Sequence, residues 1–446
     1  MTDTTSPATT TGAGTTYSTF TGWIDRPTDV LPPLDEDITC DVAVIGGGLG
    51  GMATALRLAE RGVDVVLLEA EFCGYGASSR NAGQLTGKPG GDLHLMHKRY
   101  PQRLRDLVRF SSESVHFVED LITQLDIDCE YDPTGNVGAA VTAAQLRKAE
   151  QTTQILQEAG MDAHFGDHHE LGIPDTFLGG SLKPLGGTMN PGTFTLGVRR
   201  ALLRSTARVF ERTPVHSVDD LGAEALVSTP RGRVRAGRVV LANNAYAPEL
   251  TITPKRLATP IWVNMVETAP IDTGRLQATG WSSRSGLATA HNVMESYHLT
   301  PAGTIVFGVR RLQLGRGPLD ARTSDPAVVA DLTRAFHARF PSLRDVPLAR
   351  TWGGWIAMTP SWLPVAGQAT KNVYYAIGCN GHGLGQAPYL GTLLADRIAT
   401  DEVHENLRTV WRTRPRFAPS IVLNAPALRA AWALDRVAER RHRRRG

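Results

Sequence analysis

The 446-residue chain is 41% hydrophobic and 20% charged and carries a net charge of only +3, a composition suited to a globular protein of about two or three domains with a sizeable core. So small a charge excludes a broad basic field for nucleic acid. No run of about 18 apolar residues provides a membrane span, and the four cysteines (Cys40, Cys73, Cys129 and Cys379) have no CxxC spacing that reads as a metal cluster or disulfide framework.

The first residues, "MTDTTSPATTTGAGTT", lack an apolar signal core, so a reducing, cytoplasmic setting is expected. Residues 1–38 read as an arm. The tandem prolines of "VLPPLDED" bar a helix, and Trp23 either pins the arm to the body or stands exposed. From Cys40 the pattern changes. "DVAVIGGG" is an apolar strand running into glycines. "LGGMATALRLAERG" has helical spacing, with Met52, Ala55, Leu56 and Ala59 on one face and Gly62 as its stop. "VDVVLLEAE" is a second buried strand. Together they form a β–α–β unit of about thirty residues.

Residues 103–160 read as helix, hairpin and helix, the hairpin being "CEYDPTGNVGAAV". Residues 191–220 give a helix and then a strand, and 236–250 a strand leaving into a loop. Residues 256–310 alternate apolar and polar as antiparallel strands do. A helix is expected at 325–343. "WGGWIAMTPSWLPVAG", the strand "NVYYAIG", the turn "GCNGHGLG" and the helix "YLGTLLADRIATDEV" complete the pattern. The basic run 436–446 reads as a solvated end.

Gly46, Gly48 and Gly51 fit G-x-G-x-x-G between a strand and a helix. The first glycine permits the tight turn, the second lets a pyrophosphate approach the backbone, and the third lets helix and strand pack closely. Glu69, ending the second strand, is placed to accept ribose hydroxyls and repel a 2′-phosphate. The motif alone does not separate FAD from NAD. The stretch after Glu69 does: in "EAEFCGYGASSRNAGQLTG", Ser78, Ser79, Arg80 and Asn81 offer donors while Ala77, Ala82 and Gly83 keep backbone close. A nicotinamide enzyme has no need of this second shelf; a flavin held along its length does.

With "GASSRNAGQ", "WGGWIAMTPSWLPVAG" and "GCNGHGLGQAPYLGTLLADRIA" occurring in that order, the chain resembles the FAD-dependent D-amino-acid, glycine and sarcosine oxidase family. It looks nearest to the γ-glutamylputrescine oxidase-like members, which share the GASxRNxG and GHG patterns. The resemblance implies an α/β fold, with a Rossmann-like FAD-binding domain of glutathione-reductase type interleaved with an antiparallel-sheet substrate domain. The FAD-binding parts would be 39–115, 189–258 and 350–402, the substrate parts 116–188 and 259–349. An N-terminal arm (1–38) and a C-terminal helical, basic tail (403–446) flank them.

The resemblance further implies non-covalent FAD, held near its pyrophosphate and ribose by Gly46, Gly48, Leu49, Gly51, Glu69 and Ala70. The shelf would add Gly76, Ala77, Ser78, Ser79, Arg80, Asn81, Ala82, Gly83, Gln84 and Leu85. Val215 would meet adenine through its backbone, beside Ala242 and Asn243, where an Asn-Asn pair replaces the family's more usual Thr-Gly. Gly354, Gly381, His382, Gly383 and Leu384 would meet the isoalloxazine end. No cysteine stands in "WGGWIAMTP" for a covalent link, although Cys73 and Cys379 are expected near the site.

The implied reaction is oxidation of the C–N bond of an amine or amino acid by hydride transfer to flavin, giving an imine that hydrolyses. A flavin monooxygenase and a non-catalytic flavoprotein are the alternatives. Candidates for the chemistry are Tyr297, His298, Arg310, Trp352 and His382, with Met265 and Trp355 as further walls; no metal is expected. Arg310 would bind a carboxylate bidentately. Fast oxygen users in the family often place a lysine on the substrate sheet, yet none occurs between Lys255 and Lys371. The electron acceptor is therefore open between O2 and another carrier.

Overall fold

The computed structural model describes residues 9–10, 14–91, 93–315, 317–412, 429–430 and 432–437. The strand Ile38–Ile45 buries residues 42–45 and pairs in parallel with Val65–Leu68, which is buried throughout. Such continuous apolar runs mark strands covered on both faces. Between them the helix Leu49–Glu60 buries Met52, Ala55 and Leu58 against the sheet, and Gly62, at φ +75°, turns the chain back. The other strands come from far along the chain. Arg208–Phe210 flanks Val65–Leu68, Arg233–Leu241 lies parallel beside Ile38–Ile45, and Val373–Ile377 lies parallel beside Arg233–Leu241. Ala225–Ser228, Ser217–Asp220 and Val365–Gln368 extend this sheet in antiparallel fashion to eight strands. The late helix Gly383–Thr400 packs along Leu49–Glu60, with Gly391 against the Gly50 carbonyl. One nucleotide-type sheet is thus built from three separate pieces of sequence.

The second sheet has eleven strands and is mostly antiparallel. Thr259–Thr268, Gly286–Thr289, Glu295–Leu299 and Ile305–Val309 form as the alternating pattern predicts. The helix Pro326–Arg339 covers one face, stacking Phe336 on Phe307 at 4.7 Å.

Three features differ from the sequence expectation. The predicted hairpin at 129–141 does not form. Asn136–Ala140 pairs instead with Gly179–Lys183 and, in parallel, with Gly286–Thr289, because distant pairing buries Val137 and Ala139. The boundary drawn at 350 falls within the strand Leu348–Met358, which pairs along Thr259–Thr268 in the large sheet. The boundary at 116 falls within the helix Pro101–Gln124.

The arm is anchored. Trp23 donates from Nε1 to the Asn81 carbonyl at 2.8 Å, and Thr21 from its hydroxyl to the Ser79 carbonyl at 2.5 Å. Most of the basic run lies outside the described residues. Before it, residues 429–430 and 432–437 are helical. Among the described residues no helix is long and apolar enough to cross a membrane.

Candidate active site

The first loop has the strain and closeness its glycines suggest. Gly46 sits at φ +105°, where a Cβ would come 2.9 Å from Asn243 Cα, and a Cβ on Gly51 would strike the Gly46 carbonyl. Gly48 differs: a Cβ there would meet only Ser78 Oγ, at 3.1 Å. The space above it belongs to the cavity. Gly48 caps the helix Leu49–Glu60 without a side-chain bond, and the Leu49 N–H donates to Ser78 Oγ at 2.9 Å. The helix N-terminus therefore opens on a place suited to an anion. Glu69 accepts from the Gly47 N–H at 2.6 Å and the Glu71 N–H at 2.9 Å. Burial lifts its pKa to about 7 against those bonds. The Thr213 N–H donates to the Glu69 carbonyl at 2.7 Å, which brings Val215 to the same end of the cavity.

One continuous cavity of about 1260 Å³ runs from there across the molecule, larger than the roughly 300–1,000 Å³ typical of small-molecule sites. Its lining takes in Gly46, Gly48, Leu49, Glu69, Ala70 and Val215, then Gly76, Ala77, Ser78, Asn81, Ala82 and Gln84. Ala242 and Asn243 come next, and then Gly381, His382, Gly383 and Leu384. The remaining residues expected to touch a cofactor (Gly51, Ser79, Arg80, Gly83, Leu85 and Gly354) stand behind this lining. Arg80 shows why. Its Nε donates to the Tyr75 carbonyl at 2.9 Å and its Nη1 to the carbonyls of Thr19 and Gly353 at 2.8 and 3.0 Å. Its guanidinium lies over the rings of Phe20 and Tyr75. It rivets the arm, the shelf and the strand Leu348–Met358 together.

At the far end, His382 caps the helix Gly383–Thr400. Its Nδ1 lies 3.2 Å from the Asn380 carbonyl, so that nitrogen carries the proton. Burial, and then the charge of Lys88, lower its pKa to about 4, so the imidazole is neutral near pH 7. Gly381, at φ +84°, would place a Cβ in open space.

The other four side chains expected to carry chemistry do not line the cavity. Tyr297 is fully buried, donates to Glu295 at 3.0 Å and packs on Phe307 and Phe340. His298 donates from Nδ1 to the Ala82 carbonyl at 3.0 Å, under the ring of Trp23. Arg310 pairs with Glu295, and with Asp331 at 3.2 Å. Trp352 donates to the Arg80 carbonyl at 3.0 Å and packs with Met265 and Val306. Trp355 does face the cavity: it stands three residues from Trp352, hence on the opposite face of the strand.

Sequence reasoning missed the cavity's cations. Lys88 and Lys183 line it, with Lys148 at its edge. They enter from segments well before residue 255. The signal was present in "GGSLKPLGG", where strand alternation puts Ser181 and Lys183 on one face. Also missed was the rim at 291–294. Asp435 accepts from the Asn292 N–H, the Asn292 amide and the Val293 N–H at 2.9–3.1 Å, fastening this rim to the C-terminal helical segment.

The residues present fit an elongated dinucleotide such as FAD. Both ends of the cavity offer a helix N-terminus, and side chains at Gly48, Gly76 and Gly381 would occupy the space between them rather than meet packed backbone. Comparison with known proteins agrees. Residues 41–397 match the family described as FAD dependent oxidoreductase (DAO). The chain is 30% identical over 380 residues to gamma-glutamylputrescine oxidoreductase of Escherichia coli (strain K12), covering 82% of this chain and 85% of that one. L-proline dehydrogenase from P. horikoshii matches in structure with a TM-score of 0.72 at 22% identity, over 84% of this chain and 96% of the other. Glycine oxidase from Geobacillus kaustophilus matches with 0.71 at 20% identity, over 82% and 96%.

Proposed function

This chain belongs to the FAD dependent oxidoreductase family, and we propose that it oxidises the C–N bond of an amine or amino acid, giving an imine that water hydrolyses. The observation that carries the reading is the single cavity. Its lining combines a dinucleotide cradle at Glu69 and Gly48 with the His382 turn and the polar side chains of Lys88 and Lys183. The activity named for the E. coli relative, on an acylated polyamine, is of the same class.

Bound FAD supplies the hydride acceptor. Gly48, Leu49 and Ser78 would hold its pyrophosphate, Glu69 its ribose, Val215 its adenine, and the residues around Gly381 its ring end. The N-terminus of Gly383–Thr400 favours negative charge beside it. A substrate amine must be uncharged to release hydride, and burial in the cavity disfavours its protonated form. Burial raises the pKa of Cys379, which lines the cavity, and so suppresses its thiolate. We propose that attachment is non-covalent, so acid precipitation should release the flavin into the supernatant.

The decisive experiment adds amines to the yellow protein without oxygen. Bleaching by an amine supports the proposal. Bleaching by reduced nicotinamide alone would point to monooxygenation, and bleaching by neither to a flavoprotein without turnover. Admitting air then separates O2, which restores colour at once, from another acceptor.

A further inference from the structure

We infer that the C-terminal helical segment 432–437 is a detachable strap on the cavity rim, and that Asp435 is a positioning residue acting on substrate through Asn292 and Val293. The inference rests on the amine-oxidising reading above and adds a control over access to that site. The rim is the loop between the strands Gly286–Thr289 and Glu295–Leu299, and its Ala290, His291, Asn292 and Met294 line the cavity. The loop is fastened from outside itself. The N–H groups of Asn292 and Val293 donate to the Asp435 carboxylate at 3.1 and 2.9 Å, and the Asn292 side-chain amide donates to it at 2.9 Å. Bonds to an ionised acceptor are the stronger kind, and three of them converge on two adjacent loop residues. A distant segment thus sets the conformation in which the rim meets the cavity.

The segment is seated by its polar side. Trp432, Asp435 and Arg436, three and four residues apart, share one face of a helix. The Trp432 ring has the guanidinium of Arg311 over it at 4.5 Å and that of Arg436 at 5.0 Å. Arg436 also pairs with the fully buried Asp331. Asp331 in turn holds Arg310 at 3.2 Å, and the Arg310 N–H donates to the Met294 carbonyl at 3.0 Å. Both fastenings therefore end on the rim, Asp435 directly and Arg436 by way of Asp331 and Arg310. The backbone on the second route is strained: Val309 and Arg310 stand at φ +78° and +48°, a region costly for a β-branched residue. Leu434 and Val437, by contrast, are 64% and 45% exposed. A helix that turns its aliphatic side chains to water gains little from burial. What holds it is a few hydrogen bonds and an ion pair at a partly exposed boundary, each individually weak, so it can leave while the body stays folded. It also lies beyond residues 41–397, which match the family, and is an addition to that fold.

The experiment uses the full-length, flavin-loaded protein, the variants Asp435→Ala, Asp435→Asn and Arg436→Met, and two readouts. First, amide hydrogen exchange is followed by mass spectrometry in a peptide spanning the rim. Exchange there should quicken about tenfold or more in Asp435→Ala and by less in Arg436→Met. Asp435→Asn, whose carbonyl can still accept from the two N–H groups, should lie between Asp435→Ala and the parent. Second, the KM for whichever amine bleaches the flavin should rise about two- to fivefold in Asp435→Ala, with a smaller change in kcat. Flavin content and thermal midpoint should hold in all three; should Asp435→Ala fail to fold, Arg436→Met and Asp435→Asn decide. Unchanged rim exchange in the variants overturns the strap. So does a KM that stays put while the rim loosens, or a loss of flavin and thermal midpoint in every variant, which would make the segment part of the scaffold. Because the exchange measurement needs no turnover, it stands even if no amine bleaches the flavin, the outcome that would sink the proposed reaction instead.

Discussion

The two ends of the cavity are built on different terms. At the end proposed for the nucleotide the groups offered to the cavity are largely backbone: the N-terminus of Leu49–Glu60, the turn at Gly46 and the peptide bonds that orient Glu69. Elsewhere in its lining they are side chains, Lys88, Lys183 and the rim at 291–294, drawn from three distant segments. Backbone recognition demands glycine at fixed spacing and so leaves a motif. Side-chain recognition demands only that some residue on the right face have the right charge, and it leaves none.

The contrast breaks most visibly at Gly48. Gly48→Leu would fill the cradle, and the purified protein should lose nearly all its visible flavin absorbance per chain while keeping its fold. Full flavin content in that variant would show that the pyrophosphate lies elsewhere. Next in size is the frame beneath this end. Arg199 and Glu211 form an ion pair with side chains 2% and 0% exposed, and Glu211 also accepts from the N–H groups of Leu31 and Cys73. Arg199→Met strands a buried carboxylate and should cost about 3–5 kcal/mol in urea unfolding. Adding Glu211→Gln should recover much of that loss, and no recovery would mean the residues act separately.

The lysine end should respond to pH instead. The charge that acts on Lys183 is Lys88; Lys88 in turn interacts with Lys148 and with His382, and the histidine has already lost its proton near pH 4. Folding lowers the Lys183 pKa from about 10.4 to about 7. The unfolded chain therefore binds the extra proton in that window, and stability without ligand should rise with pH across it. Lys88, also lowered, acts in the same direction. Lys183→Met should flatten this slope. The smallest effect is expected at the rim: Asp435→Ala frees residues 292–293 and should raise KM about two- to fivefold, by the loss of its exposed and partly buried bonds, with flavin content unchanged.

The same division explains what was legible. The β–α–β unit, the shelf and the late helix were readable because burial on both faces and tight turns constrain residue type. The large sheet's alternation was readable too, but not which face met the cavity. Tyr297, His298 and Trp352 carry the residue types expected of an active site, yet Tyr297 is committed to Glu295 on its own strand, and His298 and Trp352 to the Ala82 and Arg80 carbonyls of the shelf. Arg310 looked available only because Glu295 and Asp331, fifteen and twenty-one residues away, could not be placed beside it. Trp23 became interpretable only once Asn81 and His298 stood next to it.

The pairing of Leu49–Glu60 with Gly383–Thr400 bears on biosynthesis. A ribosome releases the first glycine loop long before the helix that lies along its own has been made. The strand Val373–Ile377 and the turn before that helix are equally late. Coenzyme capture is thus expected only after synthesis has passed that helix. Fragments stopping short of residue 400 should stay pale whatever their length, and yellow colour would report that the late helix has been made.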